Sequence, residues 1–257
     1  MFDDCRLSTA RVLCSFDTEH QPEGRTMRIG IIGAGNIGGA LVRGLVPLGH
    51  EVQVANSRGP QTLQELASET GASAVTVQDA VRDKDLIVVT IPQAKVEALP
   101  SGLFADVPGD VVVVDTGNYY PRERDGRIAD LEDGTVESAW VEGRIGHPVI
   151  KAFNNIYAAH LHEKGQPQGS DGRIALPVAG DDASAKKVVL ELVDALGFDP
   201  VDAGTIAESW RQQPGSPVYT TDLDVAGVRG ALADASQQRP EAFTATPNSP
   251  GTYSDPR

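Results

Sequence analysis

The stretch that decides the fold runs from Met27 to Gly38, MRIGIIGAGNIG. Residues 28–32 (RIGII) are a short apolar run that reads as a buried strand. Gly33-Ala34-Gly35-Asn36-Ile37-Gly38 then spells GxGxxG, and residues 36–46 continue with apolar positions at helical spacing. The motif alone is a weak signal. Placed directly between a strand and a helix, it reads as a phosphate-binding turn. Gly33 permits the tight turn, Gly35 lets a pyrophosphate approach the backbone, and Gly38 lets helix and strand pack closely. The helix N-terminus offers free N–H groups and partial positive charge to the phosphates. The competing reading is a glycine-rich turn with no ligand.

Working outward, further apolar runs alternate with amphipathic stretches. Strands are expected at 51–55, 74–77, 85–91, 110–115 and 149–153, with helices at 62–69 and 78–82 between them. Continuous apolar strands alternating with helices indicate a parallel sheet covered on both faces. Right-handed crossovers then make it doubly wound. The expected fold is therefore α/β: a doubly wound Rossmann parallel sheet over 27–153 with a small α/β C-terminal extension over 154–234. That extension should hold helices at 155–162 and 183–196 and strands at 175–179 and 200–202. Residues 1–26 lack periodicity and read as a disordered extension. Residues 235–257, rich in Pro, Ser, Thr and Gln, read as a disordered tail.

The end of the second strand, about 20 residues past the glycine motif, separates NAD from NADP enzymes. A carboxylate there binds the ribose 2′-hydroxyl, whereas a 2′-phosphate needs a cation. The chain reads Ala55-Asn56-Ser57-Arg58, with no carboxylate. Ser57 can donate a hydrogen bond and Arg58 can fork onto a phosphate. NADP is the expected cofactor, with Asn56, Ser57 and Arg58 near its 2′-phosphate. The bland alternative is a surface arginine in a turn. Strand ends at Thr90-Ile91-Pro92, Thr116-Gly117-Asn118 and Phe153-Asn154-Asn155 share the same edge. Thr90, Ile91, Pro92, Asn118 and Asn154 are therefore added as candidates around the nicotinamide, against a plain reading as caps and turns.

Composition narrows the partners. The 257 residues carry a formal charge of -14, which repels polyphosphate backbones and argues against nucleic acid. No run approaches the roughly 18 apolar residues of a membrane span. The only cysteines, Cys5 and Cys14, make neither a disulfide framework nor a zinc site, and a cytoplasmic setting is expected. His160 and His162 point to different helix faces, so no metal is expected. His147 reads as a turn residue. Lys151, a charge inside an apolar strand, needs a partner and ranks as structural before catalytic. Trp210 and Tyr219 could stack on a flat ring or simply pack.

Four segments carry a family resemblance: MRIGIIGAGNIGGAL, LGHEVQVANSR, DLIVVTIP and VAGDDASAKKVVLELVDALGFDPVDAG. Over roughly Met27 to Gly204 the chain resembles the NADPH-dependent reductases of the 8-hydroxy-5-deazaflavin coenzyme (coenzyme F-420). The resemblance implies direct hydride exchange between NADPH and the deazaflavin, with the protein holding two rings together and no protein nucleophile or metal required. It assigns Ala34, Gly35, Asn36 and Ile37 to the phosphates, and Ser57 and Arg58 to the 2′-phosphate. The partner implied is a small-molecule redox acceptor, with coenzyme F-420 as co-substrate, and a homodimer is carried as one assembly option. The segment from Ala207 onward departs from the family, since Pro214 and Pro217 cannot continue a helix. Acceptor identity therefore transfers poorly. Alternatives are an NADPH reductase of a flavin, quinone or metal chelate, and an NADP-binding redox sensor without turnover. A pyrroline-carboxylate or hydroxyacid dehydrogenase is disfavoured, because those carry long helical C-terminal domains.

Overall fold

In the computed structural model, residues 26–257 are described; the expected extension and both cysteines lie outside the described residues apart from Thr26. Six strands form one parallel sheet: β1 (Arg28–Ile32), β2 (Glu51–Ala55), β3 (Ser73–Ala74), β4 (Leu86–Val89), β5 (Val112–Asp115) and β6 (Ile150–Lys151). Their order is β3-β2-β1-β4-β5-β6. The chain reverses direction between β1 and β4, which is where such sheets open a ligand crevice at their carboxyl ends.

Period-two alternation sorts the side chains onto two faces. Ile29, Ile31, Val54, Leu86, Val88 and Val114 share one core with Leu41 and Leu45 of α1 (Asn36–Leu45). Ile32, Ala55, Ile87, Val89 and Val113 share a second core on the opposite face. That face is covered by α3 (Val77–Val81) and α5 (Glu137–Ile145), whereas α2 (Gln64–Thr70) follows β2 and α4 (Ala129–Glu132) precedes α5. Both faces are thus buried, as continuous apolar strands require.

The C-terminal part holds α6 (Ala158–Glu163), β7 (Ala175–Val178), α7 (Ala183–Ala195), β8 (Asp199–Asp202) and α8 (Val225–Ala233). β7 and β8 pair in parallel. Residue Ala179, just past β7, bridges antiparallel to Lys151 through two backbone bonds of 2.8 and 3.0 Å. This caps the β6 edge of the sheet. Leu176, Val178, Val189, Leu192 and Phe198 join the first core, so the extension and the sheet share apolar interior.

Bounds shift at most elements, and three larger departures from expectation stand out. The third strand, expected at 74–77, is only Ser73–Ala74, because the Thr76 side chain caps α3 by accepting from Asp79 N at 3.2 Å. α5 was not expected: its first turn buries Glu137 and Ser138, which breaks the apolar pattern. Residues 235–257, expected as a disordered tail, form a strap. Arg122 donates to the carbonyls of Thr244 (2.9 Å) and Glu241 (2.6 Å), and Arg257 N donates back to the Arg122 carbonyl at 3.0 Å. A polar segment can be tied down by arginine–carbonyl bonds without apolar residues of its own, and composition does not report such bonds.

Candidate functional site

The glycine motif occupies the carboxyl end of β1, at the switch point. Gly33 has φ +115° and its N–H donates to the Ala55 carbonyl at 2.8 Å, fixing the β1 turn to the end of β2. A Cβ on Gly33 would lie 2.1 Å from the Thr90 carbonyl oxygen, and one on Gly38 would lie 2.0 Å from the Gly33 carbonyl oxygen. Those two glycines are required by backbone contact. Gly35 is different: nothing lies within 4 Å of where its Cβ would be. It is the N-cap of α1, with no side chain accepting from the first turn. The first backbone bond of the turn is Gly39 N to Gly35 O at 2.8 Å, so the N–H groups of Asn36, Ile37 and Gly38 precede it. Ala34 and Ile37 are half-buried against the first core, while Gly35 and Asn36 are exposed. An open cradle of backbone donors fits a pyrophosphate.

At the end of β2, Asn56 accepts from Arg58 N at 2.9 Å and donates to Thr62 Oγ1 at 2.9 Å. Asn56 therefore shapes the loop, leaving Ser57 and Arg58 exposed beside the glycine turn. No ion pair to the Arg58 guanidinium exists among the described residues. Thr90 follows β4 and packs its Cγ2 toward Gly38; Ile91 and Pro92 continue the same rim. Farther along the edge, Asn118 Nδ2 donates to the Asn154 carbonyl (2.8 Å) and Asn154 Nδ2 donates to Asn118 Oδ1 (3.0 Å). The structure thus brings the predicted residues to the carboxyl edge of one sheet, with the Asn118–Asn154 pair joining β5 to β6.

Residues 28–119 match the family model described as NADP oxidoreductase coenzyme F420-dependent. A hypothetical protein from Sinorhizobium meliloti superposes with a TM-score of 0.66 at 31% identity, over 77% of this chain and 95% of its own. The chain belongs to this family. A putative F420-dependent NADP reductase from Arthrobacter shares the fold at 23% identity and a TM-score of 0.60, over 71% of this chain and 87% of that one. The metalloreductase STEAP3 of Rattus norvegicus is 29% identical over 183 residues, which is 71% of this chain and 35% of that protein. The chain spans about half or less of the length of the curated relatives it matches.

Behind this rim lies a buried polar layer that the sequence only hinted at. Lys151 and Asp115 are directly opposite in the β5–β6 register and pair at 3.0 Å, with side chains 0% and 2% exposed. Lys151 Nζ also donates to the Gly117 carbonyl, and Ser138 Oγ donates to Asp115 at 2.7 Å. A buried charge pair of this kind persists only when its hydrogen bonds are filled, as here. Lys151 is thereby a clamp on the β5 end rather than a free acid. The signal for it was a lone charge in each of two adjacent apolar strands. Gln93, another buried residue, donates to the Glu137 carbonyl at 3.2 Å.

Glu137 accepts from Tyr119 N (3.1 Å) and from Arg239 of the strap (2.8 Å). Burial pushes its carboxyl above the usual carboxylate range, although Arg239 and Lys151 pull the other way. Burial likewise raises the phenols of Tyr120 and Tyr219, which share a hydrogen bond. In that bond one hydroxyl donates and the other accepts. His147 is held between the Pro148 and Pro108 carbonyls at 2.9 and 3.2 Å, a structural role. Among the described residues no group of three or more His, Cys, Asp or Glu is placed to hold a metal ion, and no helix is long and apolar enough to cross a membrane.

Proposed function

We propose that the chain binds NADPH along the carboxyl edge of β2, β1, β4, β5 and β6 and passes its hydride to a planar redox acceptor, the deazaflavin coenzyme F-420 being the preferred one. The observation that carries this reading is the uncapped, sterically open N-terminus of α1 beside an Arg58 with no ion-pair partner among the described residues, at a strand end lacking a carboxylate. NADPH supplies the hydride. The backbone N–H groups of Asn36, Ile37 and Gly38 hold the pyrophosphate, and Arg58 with Ser57 meets the 2′-phosphate. Thr90, Ile91 and Pro92 border the crevice, and the Asn118–Asn154 pair closes its far end. The chain's contribution is orientation and exclusion of water, with no covalent step on a side chain.

The decisive measurement is NADPH oxidation by the purified protein with the deazaflavin coenzyme present. Oxidation matched by reduction of the coenzyme is expected. Tight NADPH binding with no oxidation would remove the deazaflavin as acceptor. The match to a metalloreductase favours one second reading, a metal-chelate acceptor. A ferric chelate in place of the coenzyme tests it in the same assay.

A further inference from the structure

Between the C-terminal strap and the loop that follows the short helix Ile206–Gln212, the structure leaves a cavity of about 310 Å³. Trp210, Gln213, Pro214 and Ser216 line it from the body, and Arg239 and Pro240 line it from the strap. Gly215 makes the closure possible. Its φ is +86°, and a Cβ there would lie 2.8 Å from both Pro240 Cγ and Phe243 Cδ2. A side chain on the loop would push the strap away at this point. The cavity is separate from the nucleotide crevice, since none of residues 33–38, 57, 58 or 90 lines it. All of its lining residues come after residue 119, where the family match ends.

Two polar groups at this cavity have no partner among the described residues. Gln213 is 8% exposed and its Nε2 is unsatisfied, and Ser216 Oγ is buried and unsatisfied as well. Buried polar groups are nearly always paired, so two orphans lining one cavity mark a place that receives a polar group. Arg239 adds charge. Its guanidinium donates once to Glu137, at 2.8 Å, and carries four further N–H groups. Burial raises the Glu137 carboxyl, which weakens it as a counter-ion. The nearby acids are turned to other work. Glu132 accepts from Tyr119 Oη and from Ala245 N, both at 3.0 Å, and Asp234 is exposed at the end of α8. Trp210, Pro214 and Pro240 supply rigid apolar surface.

We propose that this cavity is a second ligand site, which takes a compact carboxylate on a flat apolar body and holds it with Arg239, Gln213 Nε2 and Ser216 Oγ. Its volume stands at the small end of ligand sites, which run from about 300 to 1,000 Å³, so it suits a single ring with one substituent. A carboxylate accepts from a guanidinium fork and an amide together, and the bonds to it are the stronger for its charge. The ring lies against Trp210 and the prolines. A ligand so placed joins the strap to the body. It also sits one residue along the chain from Gln212, whose carbonyl accepts from Asn154 Nδ2 at 2.6 Å and whose Nε2 donates to Asn154 Oδ1 at 3.0 Å. The site thus adjoins the clamp on the Asn118–Asn154 pair at the crevice's far end. The proposal stands independently of the hydride-transfer reading above.

The test uses the full chain with benzoate as the probe, and benzamide and benzylamine as its neutral and cationic counterparts. Calorimetry should show benzoate saturating one site with a Kd below about 1 mM. Benzamide and benzylamine should bind at least roughly tenfold more weakly. Gln213→Met should weaken benzoate about fivefold or more, and should hold or raise Tm, since an orphan amide gives way to an apolar chain. Saturating benzoate should leave the Kd for NADPH within about twofold. No saturable benzoate binding by wild type overturns the site and leaves the cavity to ordered water. Equal binding of benzamide overturns the assignment of an anion. Benzoate that NADPH displaces overturns it by placing the probe at the phosphate cradle. Benzoate binding unchanged by Gln213→Met overturns it by placing the probe elsewhere on the surface. Should the methionine variant not fold, Ser216→Ala takes the same readouts.

Discussion

Two strand–turn–helix units in this chain look alike in sequence and do opposite things with their helix ends. The first is β1, Gly33-Ala34-Gly35 and α1; the second is β7, Ala179-Gly180-Asp181-Asp182 and α7. In the second, Asp182 caps α7 by accepting from Ala185 N at 2.7 Å, and Asp181 accepts from Ile206 N at 3.0 Å. Its glycine is sterically locked, since a Cβ on Gly180 would lie 2.2 Å from Ile150 Cδ1. The helix dipole is answered from within. In the first unit the cap position is Gly35, with empty space where a side chain would be and no acid in the first turn. The open unit differs from the scaffold unit less by its glycines than by the negative charge it leaves out.

That contrast can be broken at several points. The largest effect belongs to Gly33→Val, which forces a Cβ into the Thr90 backbone at a φ that branched residues avoid. A cost above about 4 kcal/mol is expected, read as loss of folded protein by circular dichroism. Next is Gly35→Asp, which gives α1 the cap that α7 has. Its φ of -76° suits any residue and the space is open, so Tm should hold or rise. NADPH affinity, measured by calorimetry, should fall roughly 100-fold through carboxylate–phosphate repulsion of several kcal/mol. Retained affinity would mean the phosphates lie elsewhere. Arg58→Ala should weaken NADPH about 10–100-fold, the worth of one charged hydrogen-bond set, and leave NADH unchanged. Equal losses for both cofactors would sink the 2′-phosphate assignment. The smallest effect is on the scaffold side: Asp182→Ala should cost about 1 kcal/mol, a Tm drop of roughly 2–4 °C, with NADPH binding unaltered.

The sheet and the placing of Gly33, Gly35 and Arg58 at its carboxyl edge were legible because each depends on local rules. RIGII, GAGNIG and the missing carboxylate at Ala55-Asn56-Ser57 are short-range patterns with a single steric or electrostatic meaning. Bounds drifted where caps intervened, as Thr76 ended the third strand early. The polar layer was not legible, since its pairs are long-range. Nothing near Glu137 announces Arg239, and nothing near Asn154 announces Gln212. Lys151 did signal a need for a partner, but only the β5–β6 register names Asp115. The strap was misread for the same reason: Arg122 recognises main-chain carbonyls, which every sequence has.

The Arg239–Glu137 contact carries a practical lesson for whoever makes this protein in quantity. A polar tail is the usual first target when a shorter, better-behaved product is wanted. Here cutting before residue 239 would strand a carboxylate that is already fully buried and already inclined to hold its proton. A raised carboxyl favours the folded state at low pH, and that benefit drains away as pH climbs from the ordinary carboxylate range through the raised value. The trimmed material would therefore keep best in mildly acidic buffer and spoil on neutralisation, the reverse of common storage habit.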